Sequence, residues 1–414
     1  MSKSRSGSLR TGFIAWVVFF LIALCLWFTF SDSRGPVNLF PYPFVMYLAV
    51  MILVGLWQHL SFDNWPLAKV SQPWQGIILT ILNVILTFFL IHIVFYRILG
   101  LGFNFLSQVN LNEVASAGKT ILPNGVTISL KFMTENHFAE SAIVSFVLIG
   151  FFTYPTIPIL FEGWPVLPSN LEQPRAGFAG LGWGSLFTLF CFTILIVPFW
   201  GSVYSQQLGT SFGFNASWWN FSGTSHLHWV FGWWEWAIVV LFMTANVWRG
   251  KPWSCIKLPQ PWKGLLSLTG VITLGYVIGL LCIKIIPLWM PKETIYHLAE
   301  TDNLIRFLWY HSAEIAGFFL FPFLIYHHYF DDITPFKNKD SWNAFFFRTV
   351  VVLILAVANY CFYYYVNFGG WGLGNSHTIT QRFIHGESLI WNFWSIIPLL
   401  WHIWFFKKWG IKKS

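Results

Sequence analysis

Histidine and glutamate side chains recur together in the apolar segments of this chain. His137 and Glu140 are three residues apart, and so are His311 and Glu314. Residues at this spacing lie on the same face of a helix. Imidazole and carboxylate groups together can ligate Fe, Cu or Zn, and the same groups can carry protons. Each pair is therefore a candidate site for metal binding or proton transfer.

Five further residues extend the pattern. His228 and Glu235 are seven residues apart, which again corresponds to one helix face, and His385 and Glu387 lie near the start of the last apolar segment. His92 lies near the end of an earlier apolar segment. The five histidines and four glutamates are predicted to converge on one pocket in the outer leaflet.

We assign separate roles within this predicted pocket. An ionised side chain in hydrocarbon costs at least about 2.5 kcal/mol, so Glu140, Glu235 and Glu314 are the candidate catalytic or coupling groups. The candidate cofactor-binding residues are His92, His228 and His311. The predicted metal ligands are His137, Glu140, His228, Glu235, His311, Glu314, His385 and Glu387.

A second set of histidines lies towards the opposite membrane surface and consists of His59, His327, His328 and His402. His311 and His328 are 17 residues apart, as are His385 and His402, and each pair would span about 25 Å of helix. Two such levels are what one b-type haem near each surface would need. The alternative, which we favour because Asp331 follows closely, is that the second set anchors helices at the interface.

Composition determines the class of protein that positions these groups. Hydrophobic residues make up 56% of the 414 residues, charged residues 10% and aromatic residues 21%. The mean hydropathy is +0.59. A soluble chain carries about 25% charged residues, so a soluble enzyme, a nucleic-acid-binding protein and a disulfide-rich scaffold are excluded. The sequence predicts an all-α, polytopic integral membrane protein whose main partner is the lipid bilayer.

Ten apolar runs are long enough to cross a hydrocarbon layer of about 30 Å. About two thirds of the 24 Lys and Arg residues fall on one side if the N-terminus is cytoplasmic, so both termini are predicted to be cytoplasmic. The predicted location is the cell membrane, with multiple spans. The runs are 12–30, 38–60, 76–98, 138–161, 178–200, 227–248, 265–289, 305–328, 344–366 and 388–406.

The predicted cytoplasmic loops resemble one another. Gln-Pro-x-x-Gly begins at Gln72, Gln173 and Gln260, and Asp340 begins a weaker fourth copy. The pattern predicts helical-hairpin repeats in a single transmembrane domain, while helices 1 and 10 fall outside the series. Independent convergence of Trp- and Pro-rich loops is the alternative. The predicted repeats are 38–100, 138–204, 227–290 and 305–366.

The predicted outer loops are also distinctive. Residues 205–225 contain no charged side chain and are rich in Gly, Ser, Asn and Trp, and residues 367–376 are similar. Such loops can cover the His/Glu pocket or bind a membrane or periplasmic partner subunit. Alternation after Asn124 predicts a small hairpin within 105–135.

Three functions are consistent with these features. The first is a redox subunit or enzyme whose outer His/Glu site binds a transition metal (Fe, Cu or Zn), a b-type haem or a quinol and handles electrons and protons. The second is a proton- or cation-coupled transporter in which Glu235 and Glu314 are the coupling groups. The third is a structural or assembly subunit. The sequence contains no nucleotide-binding P-loop and no covalent haem motif.

Overall fold

The computed structural model shows a helical membrane protein. It describes residues 2–31, 35–37, 44–102, 119–121, 127–129, 138–166, 169–196, 226–300, 304–365 and 388–411. Within these residues, eight helices are long and apolar enough to cross a membrane, judged by length and composition. The protein is therefore a multi-pass membrane protein.

Every predicted apolar run contains a helix. Two of the ten helices, His226–Asn246 and Ser388–Trp404, are not among the eight helices above; the second has only 17 residues. The helices are α1 Gly7–Ser31, α2 Phe44–Ser61, α3 Trp74–Leu99, α4 Phe138–Ile159, α5 Arg175–Leu195, α6 His226–Asn246, α7 Trp262–Leu288, α8 Leu304–His328, α9 Trp342–Tyr365 and α10 Ser388–Trp404.

Smaller elements lie between and within these helices. A short helix, Lys292–Glu300, precedes α8. The strands β1 (Lys119–Ile121) and β2 (Thr127–Ser129) pair antiparallel, inside the segment for which a hairpin is predicted. The segment α8 is interrupted between Gly317 and Leu320, a break that hydropathy does not reveal.

The even-numbered helices form a closed central ring. Contacts run from α2 to α4, α6, α8 and α10 and back to α2. In an 18-residue apolar stretch of each helix, 83% of the residues are buried in α4 and 61% in α2. The buried share is only 17% to 28% in the odd-numbered helices. The odd-numbered helices are therefore peripheral and present their apolar side chains to lipid.

All five central helices end in the same way. An aromatic residue, Phe62 in α2 for example, donates its backbone N–H to the carbonyl five residues earlier, and two residues in the left-handed region follow it. These bonds satisfy carbonyl groups at the helix end. The five aromatic residues define what we call the capped end of the bundle: Phe62, Phe161, Trp248, Phe330 and Phe406.

The peripheral helices begin at this capped end, each against the aromatic residue of a central helix. In four of them a glycine near the helix start lies so close to the ring that a Cβ atom would overlap it. In α9 the corresponding residue is Ala344, which is fully buried. The four contacts are Gly12 with Phe330, Gly76 with Phe406, Gly177 with Phe62, and Gly264 with Phe161.

The Gln-Pro-x-x-Gly motif has a physical explanation in these contacts. The Gln173 side chain accepts a hydrogen bond from the Gly177 N–H at 3.2 Å and donates one to the Ser61 carbonyl at 3.1 Å. It thus satisfies a donor at the start of α5 and an acceptor at the end of α2. Gln260 makes the same two bonds, to Gly264 and to the end of α4.

Candidate functional site

The polar centre of the molecule is a histidine–glutamate pair inside α8. His311 Nδ1 lies 2.7 Å from Glu314 Oε2, as the three-residue spacing predicts. The imidazole is 0% exposed and the carboxylate side chain 3% exposed. An ionisable group at such a position must be stabilised by hydrogen bonds, because water does not reach it.

Two other helices supply those hydrogen bonds. The Tyr364 hydroxyl of α9 donates to Glu314 Oε2 at 3.1 Å, and the Ser388 hydroxyl of α10 donates to Glu314 Oε1 at 2.7 Å. With His311, three donors from three helices converge on one carboxylate. Hydrogen bonds to a charged acceptor are roughly twice as strong as neutral ones, so this carboxylate joins α8, α9 and α10.

The other nitrogen of the imidazole faces a tyrosine. His311 Nε2 lies 2.8 Å from the Tyr360 hydroxyl, which also accepts a hydrogen bond from Trp289 Nε1 at 3.1 Å. Because a carboxylate can only accept, the Nδ1 hydrogen is directed to Glu314, and Nε2 of the neutral imidazole then accepts from the Tyr360 hydroxyl. Trp289 is 40% exposed, so the series of hydrogen bonds begins near the protein surface.

Aromatic rings enclose the pair. The His311 ring stacks on Phe307 with centroids 5.5 Å apart and meets the edges of Tyr360 and Tyr364. Phe318 packs against the same two tyrosines. A site surrounded in this way excludes water, which strengthens each hydrogen bond within it.

Glu140 and His92 lie in a second place, between α2, α3 and α4. The Tyr96 hydroxyl donates to Glu140 Oε1 at 3.2 Å, and the Tyr47 hydroxyl lies 2.9 Å from His92 Nε2. Glu140 is buried, whereas His92 is exposed on the side of α3. These two predicted site residues therefore lie in one region of the bundle, and each of them contacts a tyrosine.

Glu235 lies in a third place, in α6. It is 8% exposed, and no hydrogen bond or ion pair to it occurs among the described residues. Its neighbours Trp234 and Trp236 both make hydrogen bonds to other central helices. Glu235 thus differs from Glu140 and Glu314, which are both hydrogen-bonded to tyrosines.

The predicted single pocket is only partly described. The side chains of His137, His228, His385 and Glu387 lie outside the described residues. Within the described part of the chain, no group of three or more His, Cys, Asp or Glu side chains could hold a metal ion. Both nitrogens of His311 are also engaged in hydrogen bonds. The predicted metal and haem sites therefore stay predictions that these residues do not support.

The second set of histidines makes contacts at the capped end. His327 Nδ1 lies 3.0 Å from Asp332 Oδ1, and His402 Nδ1 lies 2.5 Å from the Tyr329 hydroxyl. His59 stacks on Trp404. The contacts of His402 and His59 join the ends of two central helices, whereas the contact of His327 lies within the end of α8. That these histidines anchor helices at the membrane interface stays a prediction.

Sequence reasoning missed Trp289, Tyr360, Tyr364 and Ser388 as parts of the site. The two tyrosines are four residues apart and share a helix face, which is a signal that the sequence contains. Their connection to His311 depends on the packing of α9 against α8, which no local pattern reveals. No protein-family model, curated protein or solved structure matches this chain.

Proposed function

We propose that the fold consists of ten spans arranged as five two-helix units, with both termini cytoplasmic. The repeated capped ends and the repeated contacts of the peripheral helices support five units. The fifth unit would combine α10 with α1, which the comparison of loops left outside the series. Ser8, four residues before Gly12, donates to Asp331 at 2.9 Å, in the place that glutamines occupy in three other units.

We also propose that the protein is a proton- or cation-coupled transporter of the cell membrane. The observation that carries this proposal is the buried His311–Glu314 pair, connected through Tyr360 to the region of Trp289. Buried ionisable groups within spanning helices are costly and commonly lie on proton or ion pathways. A histidine held between a phenol and a carboxylate has the geometry of a proton relay.

The relay has a defined direction of transfer. Tyr360 gives its hydroxyl proton to His311 Nε2 while the Nδ1 proton moves to Glu314. Water at the exposed side of Trp289 supplies the proton that restores the Tyr360 hydroxyl, so one proton in total passes from this water to Glu314. Its carboxyl oxygens then hold a hydrogen where they had only accepted, which weakens the bond from Tyr364 or Ser388. Protonation would thus loosen α8 from α9 or α10 and couple the proton to helix movement.

Proton uptake into vesicles tests this proposal. The purified chain is reconstituted in liposomes containing a pH-sensitive dye, and a potassium diffusion potential, negative inside, is imposed with valinomycin. Wild type is expected to acidify the interior at least tenfold faster than protein-free vesicles. Glu314→Gln is expected to abolish the difference, and Glu172→Gln, in an exposed loop, is the matched control. Equal rates with and without wild-type protein would overturn the proposal.

The redox function is a second candidate. The dense packing of aromatic rings around His311 favours it, because flat quinol or haem groups bind against such surfaces. It requires His228, His385 and Glu387, which lie outside the described residues. Elemental analysis and a visible spectrum of the purified protein test it, and the absence of metal, haem and quinone would reject it.

A further inference from the structure

Two tryptophans determine the direction of Glu235. Trp234 Nε1 donates to the Leu148 carbonyl of α4 at 3.2 Å, and Trp236 Nε1 donates to the Ser312 hydroxyl of α8 at 3.1 Å. Successive helical residues are rotated by about 100°, so Glu235 lies between these two contacts. The bonds to both neighbours in the ring prevent α6 from rotating about its own axis.

The opposite face of α6 packs on a peripheral helix. Gly275 and Gly279 of α7 approach Ala237 and Trp233 so closely that a side chain at either glycine would crowd them. These two α6 residues are each about 160° from Glu235 around the helix. Because α7 lies outside the ring, Glu235 is directed towards the axis of the ring.

The other two acidic residues described in the central helices have hydrogen-bond partners on peripheral helices, and Ser388 of the central helix α10 also donates to Glu314. Glu140 is hydrogen-bonded to Tyr96 of α3 and Glu314 to Tyr364 of α9, and both of these helices are peripheral. Glu235 has no such partner among the described residues. Among the acidic residues described in the central helices, Glu235 is therefore the one that is directed towards the axis of the ring.

The depth of Glu235 places it well inside the bilayer. It lies 13 residues before the capping Trp248, a distance of about 20 Å along the helix. The residues 13 positions before the capping aromatics of α2, α4, α8 and α10 are Ala49, Leu148, Gly317 and Phe393, and all four are buried. The surroundings of the carboxyl group are thus apolar.

We propose that Glu235 binds the transported ion on the axis of the central ring, and that this ion is a proton. The inference rests on the transport function proposed above and deepens it by naming the ion. A dehydrated metal cation needs several oxygen ligands, whereas a proton needs a single carboxyl oxygen. At this level α2, α4, α8 and α10 carry Ala49, Leu148, Gly317 and Phe393, none of which has a side-chain oxygen. The described amide beside this level is that of Asn392, which lies against Gly317, and its one oxygen is fewer than a metal cation requires.

Among the described side chains packed around Glu235, none is a second titratable group that shares the charge; His228, seven residues earlier on the same helix face, is not among them. The described α6 side chains four residues before and seven after Glu235 are Phe231 and Phe242. The helices α4 and α8 meet the flanking tryptophans with Leu148, Phe152, Ser312 and Phe319. None of these described side chains titrates in the physiological range. Binding a proton removes a charge that no described neighbour compensates, so Glu235 is suited to load and release one proton per cycle.

Vesicle flux and chemical labelling test this inference together. Glu235→Gln is expected to lower voltage-driven proton uptake at least tenfold, Glu235→Asp is expected to retain part of it, and Glu172→Gln is the control. Sodium uptake is measured in parallel and is expected to stay at the level of protein-free vesicles. Dicyclohexylcarbodiimide, an apolar reagent for protonated carboxyl groups, is expected to modify wild-type Glu235 in a pH-dependent manner, as read by peptide mass spectrometry.

The outcomes separate this inference from the function on which it rests. Proton uptake that is lost in Glu314→Gln but retained in Glu235→Gln would overturn the role of Glu235 and leave the transport proposal intact. No uptake by wild type would overturn the transport proposal itself. Sodium uptake that requires Glu235 would show that the ion is not a proton. If Glu235→Gln does not fold, absence of the carbodiimide adduct in wild type would still reject the inference.

Discussion

Removal of the Tyr360 hydroxyl tests the proposed relay with the smallest change in shape. Tyr360→Phe keeps the ring, which packs against Phe318 and Tyr364, and removes the group that bonds to both Trp289 and His311. His311 Nε2 then loses its donor at a fully buried position. The Trp289 indole is 40% exposed and can find another acceptor at the surface.

The expected magnitude follows from the buried nitrogen. A buried polar atom left without its hydrogen bond costs about 1–3 kcal/mol. We therefore expect the free energy of unfolding to fall by about 2 kcal/mol. If the relay also runs through this hydroxyl, proton uptake falls more than tenfold, because transfer to His311 requires a proton at that atom.

The assay compares Tyr360→Phe with Tyr363→Phe in the same vesicles. Tyr363 is also buried and packs on Phe318, but no described hydrogen bond links its hydroxyl to His311 or Glu314. Thermal unfolding in detergent reports the stability of each variant separately. Uptake by Tyr360→Phe equal to that of wild type, with stability reduced as expected, would show that the cluster is structural and that the relay is wrong.

Three further predictions concern the fold. Gly177→Ala is expected to lower the stability by about 1–3 kcal/mol because its Cβ meets the Phe62 ring, whereas Gly180→Ala, with nothing closer than 3.9 Å, is expected to be neutral or stabilising in thermal unfolding. Gly12→Ala is expected to lower the stability by a similar amount, because its Cβ would meet the Phe330 ring; unchanged thermal unfolding would contradict the assignment of α1 to a fifth unit. The Lys263 ammonium lowers the pKa of Glu162 through a hydrogen bond of 2.5 Å. The pair therefore stabilises the fold above the unfolded pKa of Glu162 and loses this effect as the pH falls through the lowered value. Because the Glu162 side chain is 57% exposed, we expect this contribution to be less than about 1 kcal/mol in an acid titration of stability and to be absent in Glu162→Gln.

The histidine–glutamate pair shows what the spacing of residues along the chain can predict. His311 and Glu314 share a helix face by arithmetic alone, and the structure brings their atoms to hydrogen-bond distance. Glu140, Glu235 and Glu314 could all be selected from their cost in hydrocarbon. Their partners could not, because only the packing of the helices places tyrosines of α3 and α9 beside Glu140 and Glu314 and gives Glu235 no such partner among the described residues.

The amino-acid sequence by itself determined the class of protein, the helical segments and the buried carboxylates, because hydropathy and charge act along a single chain. Only the tertiary structure decided which helices are central and which are peripheral. Lipid is as apolar as a protein core, so a helix facing lipid and a helix facing its neighbours have similar composition. For the same reason, the sequence does not reveal that tyrosines surround His311 or in which direction Glu235 points; the packing of the helices decides both.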